Sequence, residues 1–182
     1  KFNTRNIYWK LLYKESKSVT CIDTEPYLNW TKIWPEILSR ELPSQERHLS
    51  YKIVHFALPF KCYLSELDKR CVACGLNGAD NPKHFFSECL KYSDLRVKLN
   101  DAIRRLSLSL TFNWDTVRFN GALGPDLPPR DRKILRTLCA VYKSTLWTER
   151  ATARTLDHRI YKPDTAVLDD KIAWKCQEIL SI

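Results

Sequence analysis

The stretch CVACGLNGADNPKHFFSEC, residues 71–89, decides how this chain folds. Its three cysteines and one histidine are spaced C-x2-C-x9-H-x4-C, two close pairs joined by a short loop. That is the spacing a tetrahedral zinc ion needs, because each pair chelates from one turn while the loop lets the two turns face each other. The competing reading is four residues that cluster only in sequence, with reduced cysteines packed in a core. Gly75 after Cys74 permits a positive-φ turn that points backbone amides at sulfur. Asn81-Pro82 reads as a helix cap and first helical residue, placing His84 in an opening turn. A catalytic zinc keeps one coordination position open, whereas four protein ligands close the shell, and Glu88 beside the last ligand reads as solvated. The expectation is one structural zinc held by Cys71, Cys74, His84 and Cys89, with no catalytic residue. Metal binding then supplies folding energy that a loop this short cannot draw from a core.

Outward from this stretch the periodicity is helical on both sides. Thr4 can cap a first helix bearing Ile7, Tyr8, Leu11 and Leu12. Trp30, Ile33, Trp34, Ile37 and Leu38 make a second apolar stripe, with Pro35 expected near that helix's first turn. Pro43 and Ser44 open a third helix carrying Leu49, Ile53, Phe56 and Leu58. Past the cysteines, Ser93 is expected to cap a helix with Leu95, Leu99, Ile103 and Leu106 on one face. A turn-rich connector leads into the longest element, residues 130–156, about 40 Å at 1.5 Å per residue. A last helix follows Pro163, with Leu168, Ile172, Cys176 and Ile179 on one side. The class is mainly α: a helical domain with an embedded small CCHC zinc knuckle and no large sheet. Three segments are expected: an N-terminal helical part over 1–65, the knuckle over 66–92, and a C-terminal helical part over 93–182.

At 182 residues the chain can bury roughly 70% of its unfolded surface. Six Trp, eight Tyr, seven Phe and only four Gly fit an ordered domain and argue against a glycine-cradled phosphate site. Thirty Lys and Arg against 21 Asp and Glu leave a net charge of +9, which favours a polyanionic partner. No apolar run approaches the roughly 18 residues a membrane span requires, and no signal segment opens the chain, so a soluble, intracellular protein is expected. The sequence begins at Lys1 and contains no Met, and so reads as a piece of a longer polypeptide. Cys21, Cys62, Cys139 and Cys176 lie among apolar neighbours and read as small buried hydrophobes.

The succession HFALPFKCYL, CVACG, KHFFSECLKYSDLR and KILRTLCAVYKSTLWTER resembles the C-terminal zinc-binding CCHC region of reverse transcriptases from LINE-type non-LTR retrotransposons. In that family C-x-x-C-G, H-x-F-x-x-C and a late helix ending near a basic residue recur. The likeness spans roughly residues 30–155, and the metal motif is its sharp element. It implies a segment after the polymerase thumb that helps hold template RNA and target DNA during target-primed reverse transcription. The implied setting is the nucleus, with a cytoplasmic ribonucleoprotein stage. The Tyr-x-Asp-Asp signature of the polymerase palm is absent, so this fragment alone is not expected to be an enzyme, although it would belong to an RNA-directed DNA polymerase. The nine-residue middle loop is slightly long for the family.

On a helical wheel of the long element, Ile134, Leu135, Leu138, Val141, Tyr142, Leu146 and Leu156 form one apolar face. Arg132, Arg136, Lys143, Arg150 and Arg154 fall within about 40° on the opposite side, beside Trp147. An exposed basic row with an aromatic can track phosphates and stack a base; a plain solvated face is the alternative. A second basic group, Lys69, Arg70, Lys83, Lys91, Arg96 and Lys98, surrounds the metal motif. Phe85 and Phe86 invite base stacking, but residues beside a zinc ligand more often pack the knuckle.

Two further readings compete. A protein-docking module could pack on the polymerase body or recruit a partner through its Trp-rich N-terminal helices. A restriction-like endonuclease could be read from Lys162-Pro163-Asp164 and Asp169-Asp170-Lys171, but that chemistry needs carboxylates converging from adjacent strands, and the region has helical periodicity. Asp164 as a helix cap accounts for the same letters. His48, His55 and His158 are expected to be packed or solvated.

Overall fold

The computed structural model describes residues 25–61, 69–105, 110 and 112–155, together with Ala166, Asp170, Ala173 and Trp174. It is mainly helical, as the periodicity required, and no strand occurs among the described residues. The helix expected after Thr4, the stripe from Leu168 to Ile179, Leu106 and Leu156 lie outside them. By internal contacts the chain divides into Lys1–Trp30 and Thr31–Ile182. Within the first unit the described part is a turn over residues 25–30, in which the Trp30 indole Nε1 donates to the Glu25 carbonyl at 3.0 Å.

The second unit carries the core. Helix α1 (Trp30–Ile37) buries Ile33 and Ile37 completely. Pro35 is its sixth residue rather than part of its first turn, so it removes a backbone bond from within the helix, which ends two residues later. Helix α2 (Ser44–Val54) follows Pro43 and buries Leu49, Ser50, Ile53 and Val54. Phe56, placed by its spacing on this helix's apolar stripe, lies past the helix end. There the Ala57 amide donates to the Lys52 carbonyl at 2.8 Å and the Phe56 amide to Ile53 at 3.2 Å. This is the six-to-one and five-to-two pattern that closes a helix around a left-handed residue, normally glycine. Phe56 takes that conformation at φ 52°, which costs a residue with a Cβ about 1–2 kcal/mol.

Helix α3 (Ser93–Arg105) buries Leu95, Leu99 and Ile103 at intervals of four. Ser93 is its first helical residue, and its hydroxyl donates back to the Leu90 carbonyl at 2.9 Å instead of accepting from the helix. A short 3-10 turn, Leu90–Tyr92, leads into it. Helix α4 (Trp114–Arg118) is capped by Asn113, whose Oδ1 accepts from the Thr116 amide at 2.9 Å.

The long helix α5 (Pro129–Thr155) opens with proline at its first position, where the missing amide costs nothing. It is the axis of the fold and packs against α2 and α4. Its expected face, Ile134, Leu135, Leu138, Val141, Tyr142 and Leu146, is buried, and Cys139 with it. These side chains join Leu49 and Ile53 of α2, the α3 leucines, and Phe85, Phe86 and Cys89 of the cysteine segment in one core. The cysteine segment is thus walled by helices. Among the described residues no helix is long and apolar enough to cross a membrane.

Candidate metal centre

The local backbone brings the four ligands together. Around the first pair the Gly75 amide donates to the Cys71 carbonyl at 2.8 Å and the Cys71 amide to Leu76 at 2.9 Å, with Gly75 at φ 73°. The Asp80 amide donates to the Lys69 carbonyl at 3.0 Å, which ties the loop's far end to its start. At the second pair Asn81 caps as expected, its Oδ1 accepting from the His84 amide at 2.8 Å. The turn then widens: residues His84–Glu88 are π-helical, and the Cys89 amide donates to the His84 carbonyl at 2.7 Å. In an α-helix residues five apart point about 140° from each other; the wider turn brings Cys89 round toward the side of His84.

One ligand atom from each of Cys71, Cys74, His84 and Cys89 lies within 4.8 Å of all the others. His84 presents Nε2, 3.3 Å from the Cys74 sulfur. Cys71, His84 and Cys89 are buried and Cys74 half-buried. The donor set fits a metal ion, because backbone amides stand where thiolates need them. Those of Cys74 and Ala73 serve Cys71, that of Leu76 serves Cys74, and that of Lys91 serves Cys89. The thiols also share protons. A hydrogen bond from Cys89, then the amides and the nearby His84, hold Cys71 down at about 5 despite its burial. Cys89 is pushed up, first by that same bond and then by burial; burial also raises Cys74. Glu88, beside the last ligand position, is exposed and paired with Lys83 at 3.2 Å.

Helices on two sides hold this segment. The Tyr142 hydroxyl of α5 donates to the Phe86 carbonyl at 2.7 Å, and Arg96 of α3 donates to the Cys89 carbonyl at 2.7 Å. Between the two ligand pairs, Asp80 receives both ends of the Arg150 guanidinium at 2.7 and 2.9 Å. The second Asp80 oxygen also accepts from the Lys61 amide at 2.7 Å. Arg150 lies 4.1 Å above the Phe60 ring and 5.3 Å from that of Phe85. Phe85 and Phe86 are fully buried and meet edge to face with centroids 5.3 Å apart, so they pack the knuckle and present no face to a base.

The basic stripe of α5 is not the exposed line its spacing suggested. Arg136 is buried between Glu36, at 2.6 Å, and Glu41. Lys143 is fully buried, donating to Ser50 Oγ at 2.8 Å and Asn120 Oδ1 at 2.6 Å. Arg150 is held as described, and Trp147 is half-buried 5.8 Å from Phe60. At the two ends Arg132 and Arg154 are exposed, Arg132 donating to the Leu127 carbonyl at 3.1 Å. The cause is simple: along the middle of α5 the basic side is covered by α1, α2 and the cysteine segment, and only its two ends meet water. In the segments around the Cys/His cluster, Lys69, Arg70, Lys83, Lys91 and Lys98 are exposed, whereas Arg96 is half-buried in its backbone contact.

Asp80, Glu36, Ser50 and Asn120, the partners of these cations, were not singled out from sequence. Each lies far along the chain from its cation, and a wheel of one helix contains no information about them. The one local signal was Asp80 itself, an acid between two ligand pairs. Of the other expectations, Cys139 is buried, with its thiol pushed up to about 12 by desolvation. His48 is exposed and His55 is packed among aromatic rings. Cys21, Cys62, Cys176, His158, Asp164 and Lys171 lie outside the described residues, so the nuclease reading does too. No family model, curated protein or solved structure matches the chain.

Proposed function

We propose that Cys71, Cys74, His84 and Cys89 hold one structural zinc ion and that the helical module built on it binds nucleic acid. The LINE-type resemblance supplies the wider role: an appendage holding template RNA and target DNA for a larger RNA-directed DNA polymerase. The zinc rests on the compact donor set. Tetrahedral zinc with sulfur at 2.3 Å and nitrogen near 2.05 Å separates its ligand atoms by about 3.6–3.8 Å, close to the 3.3 Å between Cys74 Sγ and His84 Nε2. Three thiolates and one imidazole leave no open position, so the zinc is assigned a structural role.

Since Arg136, Lys143 and Arg150 are spent inside the fold, phosphate contacts fall to the exposed cations around the metal segment, among them Lys69, Lys91 and Lys98. Replacing these three by Gln should weaken binding to RNA and DNA of every sequence. The slope of log affinity against log salt should drop by about 0.7–0.9 per lost contact, with metal content unchanged. An unaltered slope would discard this surface. The protein-docking reading has one observation in its favour, a groove of about 410 Å³ between α2 and α5 bordered by Leu49, Val141, Trp147 and the exposed Trp174.

A further inference from the structure

The fold covers the four ligand positions unequally. Cys71 is 1% exposed, Cys89 0% and His84 7%. Cys74 is half-buried, and the chain opens to water just past it, with Gly75 half-buried and Leu76, Asn77 and Gly78 exposed. Anchoring is unequal too. The second pair sits in the turn whose Phe86 and Cys89 carbonyls accept from Tyr142 of α5 and Arg96 of α3. Among the described residues, the hydrogen bonds of 71–78 stay inside the cysteine segment: the Cys71 and Ala79 amides donate to Leu76, the Gly75 amide to Cys71, and the Cys74 sulfur meets His84. The cluster therefore has one sulfur that solvent reaches, on its less anchored turn.

That sulfur has a ready partner. Cys71 and Cys74 share the turn closed by the Gly75 amide on the Cys71 carbonyl at 2.8 Å, and their sulfurs lie within 4.8 Å of each other. Residues three apart in a closed turn have α-carbons under about 7 Å apart, and disulfides span about 4.4–6.8 Å. Cys89 is held away from such a move, its amide bonded to the His84 carbonyl at 2.7 Å and its carbonyl to Arg96. Cys139 is fully buried in the core and out of reach of a solute.

We propose that Cys74 is an oxidation site for hydroperoxides and Cys71 its resolving thiol, so that the centre is a reversible, peroxide-operated switch. The Cys74 thiolate attacks one peroxide oxygen, the O–O bond breaks, and hydroxide leaves, giving a sulfenic acid. The Cys71 thiolate then attacks the Cys74 sulfur, the S–O bond breaks, and a second hydroxide leaves. Two thiolates are oxidised by two electrons to a disulfide, and with two protons the peroxide becomes two waters. His84 and Cys89 alone do not complete a tetrahedral shell, so the zinc is released. The proposal rests on the zinc reading above and adds its regulation.

The test treats the zinc-loaded 182-residue chain with hydrogen peroxide in modest excess while a colorimetric chelator reads free zinc. Trypsin cuts after Arg70, Lys83 and Lys91, so Cys71 and Cys74 leave on one peptide, 71–83, and Cys89 on another, 84–91. Blocking the remaining thiols before digestion locates the bridge by mass. The expected result is one zinc released per bridge, the bridge inside 71–83, Cys89 blocked as a free thiol, and zinc binding regained after reduction. Cys74→His removes the open thiol but keeps a ligand atom, and its zinc release should be slower by on the order of tenfold or more. Zinc retained by the wild type under peroxide, a bridge that includes Cys89, or equally fast release from Cys74→His would overturn the switch and leave the zinc centre standing. Should Cys74→His take up no zinc, the peptide map of the wild type decides alone. A wild-type chain that takes up no zinc would overturn centre and switch together.

Discussion

Asp80 and Arg150 form a two-point ion pair, at 2.7 and 2.9 Å, between the middle of the metal-binding segment and the last third of α5, with side chains 0% and 2% exposed. The pair joins the loop between the two ligand turns to the axis of the fold. Each partner depends on the other, because an isolated charge at that depth is far more costly than the pair.

Arg150→Met should therefore destabilise the metal-loaded protein by about 3–5 kcal/mol, since it leaves the Asp80 carboxylate buried and unmatched. Adding Asp80→Asn should restore part of that loss by removing the charge while keeping an oxygen for the Lys61 amide. Urea denaturation of the two single variants and the double variant measures the coupling. Strictly additive losses would show that the pair is not the connection between loop and helix.

Lys143 makes stability depend on pH in the alkaline range. Burial lowers it from 10.5 to about 8, and both of its hydrogen-bond partners, Ser50 and Asn120, are neutral. Below about pH 8 the folded protein carries the full penalty of a buried ammonium. Between about 8 and 10.5 the unfolded chain binds more protons than the folded one, so stability contributed by this site rises with pH. The span corresponds to roughly 3 kcal/mol. Lys143→Met should lack this rise, so comparing unfolding free energies of the two proteins at pH 7, 9 and 10.5 isolates it from the cysteines and tyrosines. Parallel curves would refute the assignment.

Removal of the metal should melt the segment from about residue 69 to 92 before the rest. The amides of Cys74, Leu76 and Lys91, aimed at sulfur, lose their acceptors when the thiolates are protonated and released. Hydrogen exchange after chelation, or in Cys74→Ser, should show these amides unprotected while Leu135 and Leu138 of α5 remain slow. Elemental analysis of well-folded protein that finds no bound metal would sink the centre altogether.

Gly121 holds the turn that feeds α5. Its φ is 80°, and a Cβ added there would come 2.3 Å from Leu135 Cδ2. Asn120 before it is also left-handed, and its amide ties the Glu36 carbonyl to Lys143. Gly121→Ala should cost about 1–3 kcal/mol through strain and displacement of Leu135. Thermal unfolding of Gly121→Ala, Leu135→Ala and the double variant separates the two causes, because the loss caused by Gly121→Ala should be smaller in the Leu135→Ala background, where only the strain remains.

What the sequence determined by itself was local. The ligand spacing, the Asn81 cap and the helical periodicity act over a few residues, and backbone geometry makes such signals readable: an asparagine side chain can cap a first turn, and two cysteines with two residues between them can share one ion. The helical class, the apolar face of α5 and the four ligands were legible for that reason. Tertiary structure decided the fate of the cations. Arg136, Lys143 and Arg150 sit 100, 93 and 70 residues from Glu36, Ser50 and Asp80. A helical wheel distinguishes polar from apolar sides but says nothing of what faces the polar one. Once α5 became the axis of the fold, water was excluded from its basic side, and a buried cation must find hydrogen-bonding partners or lose its charge. At the end of α2 the same limit applied to Phe56, which left its helical period to take a glycine's place at φ 52°.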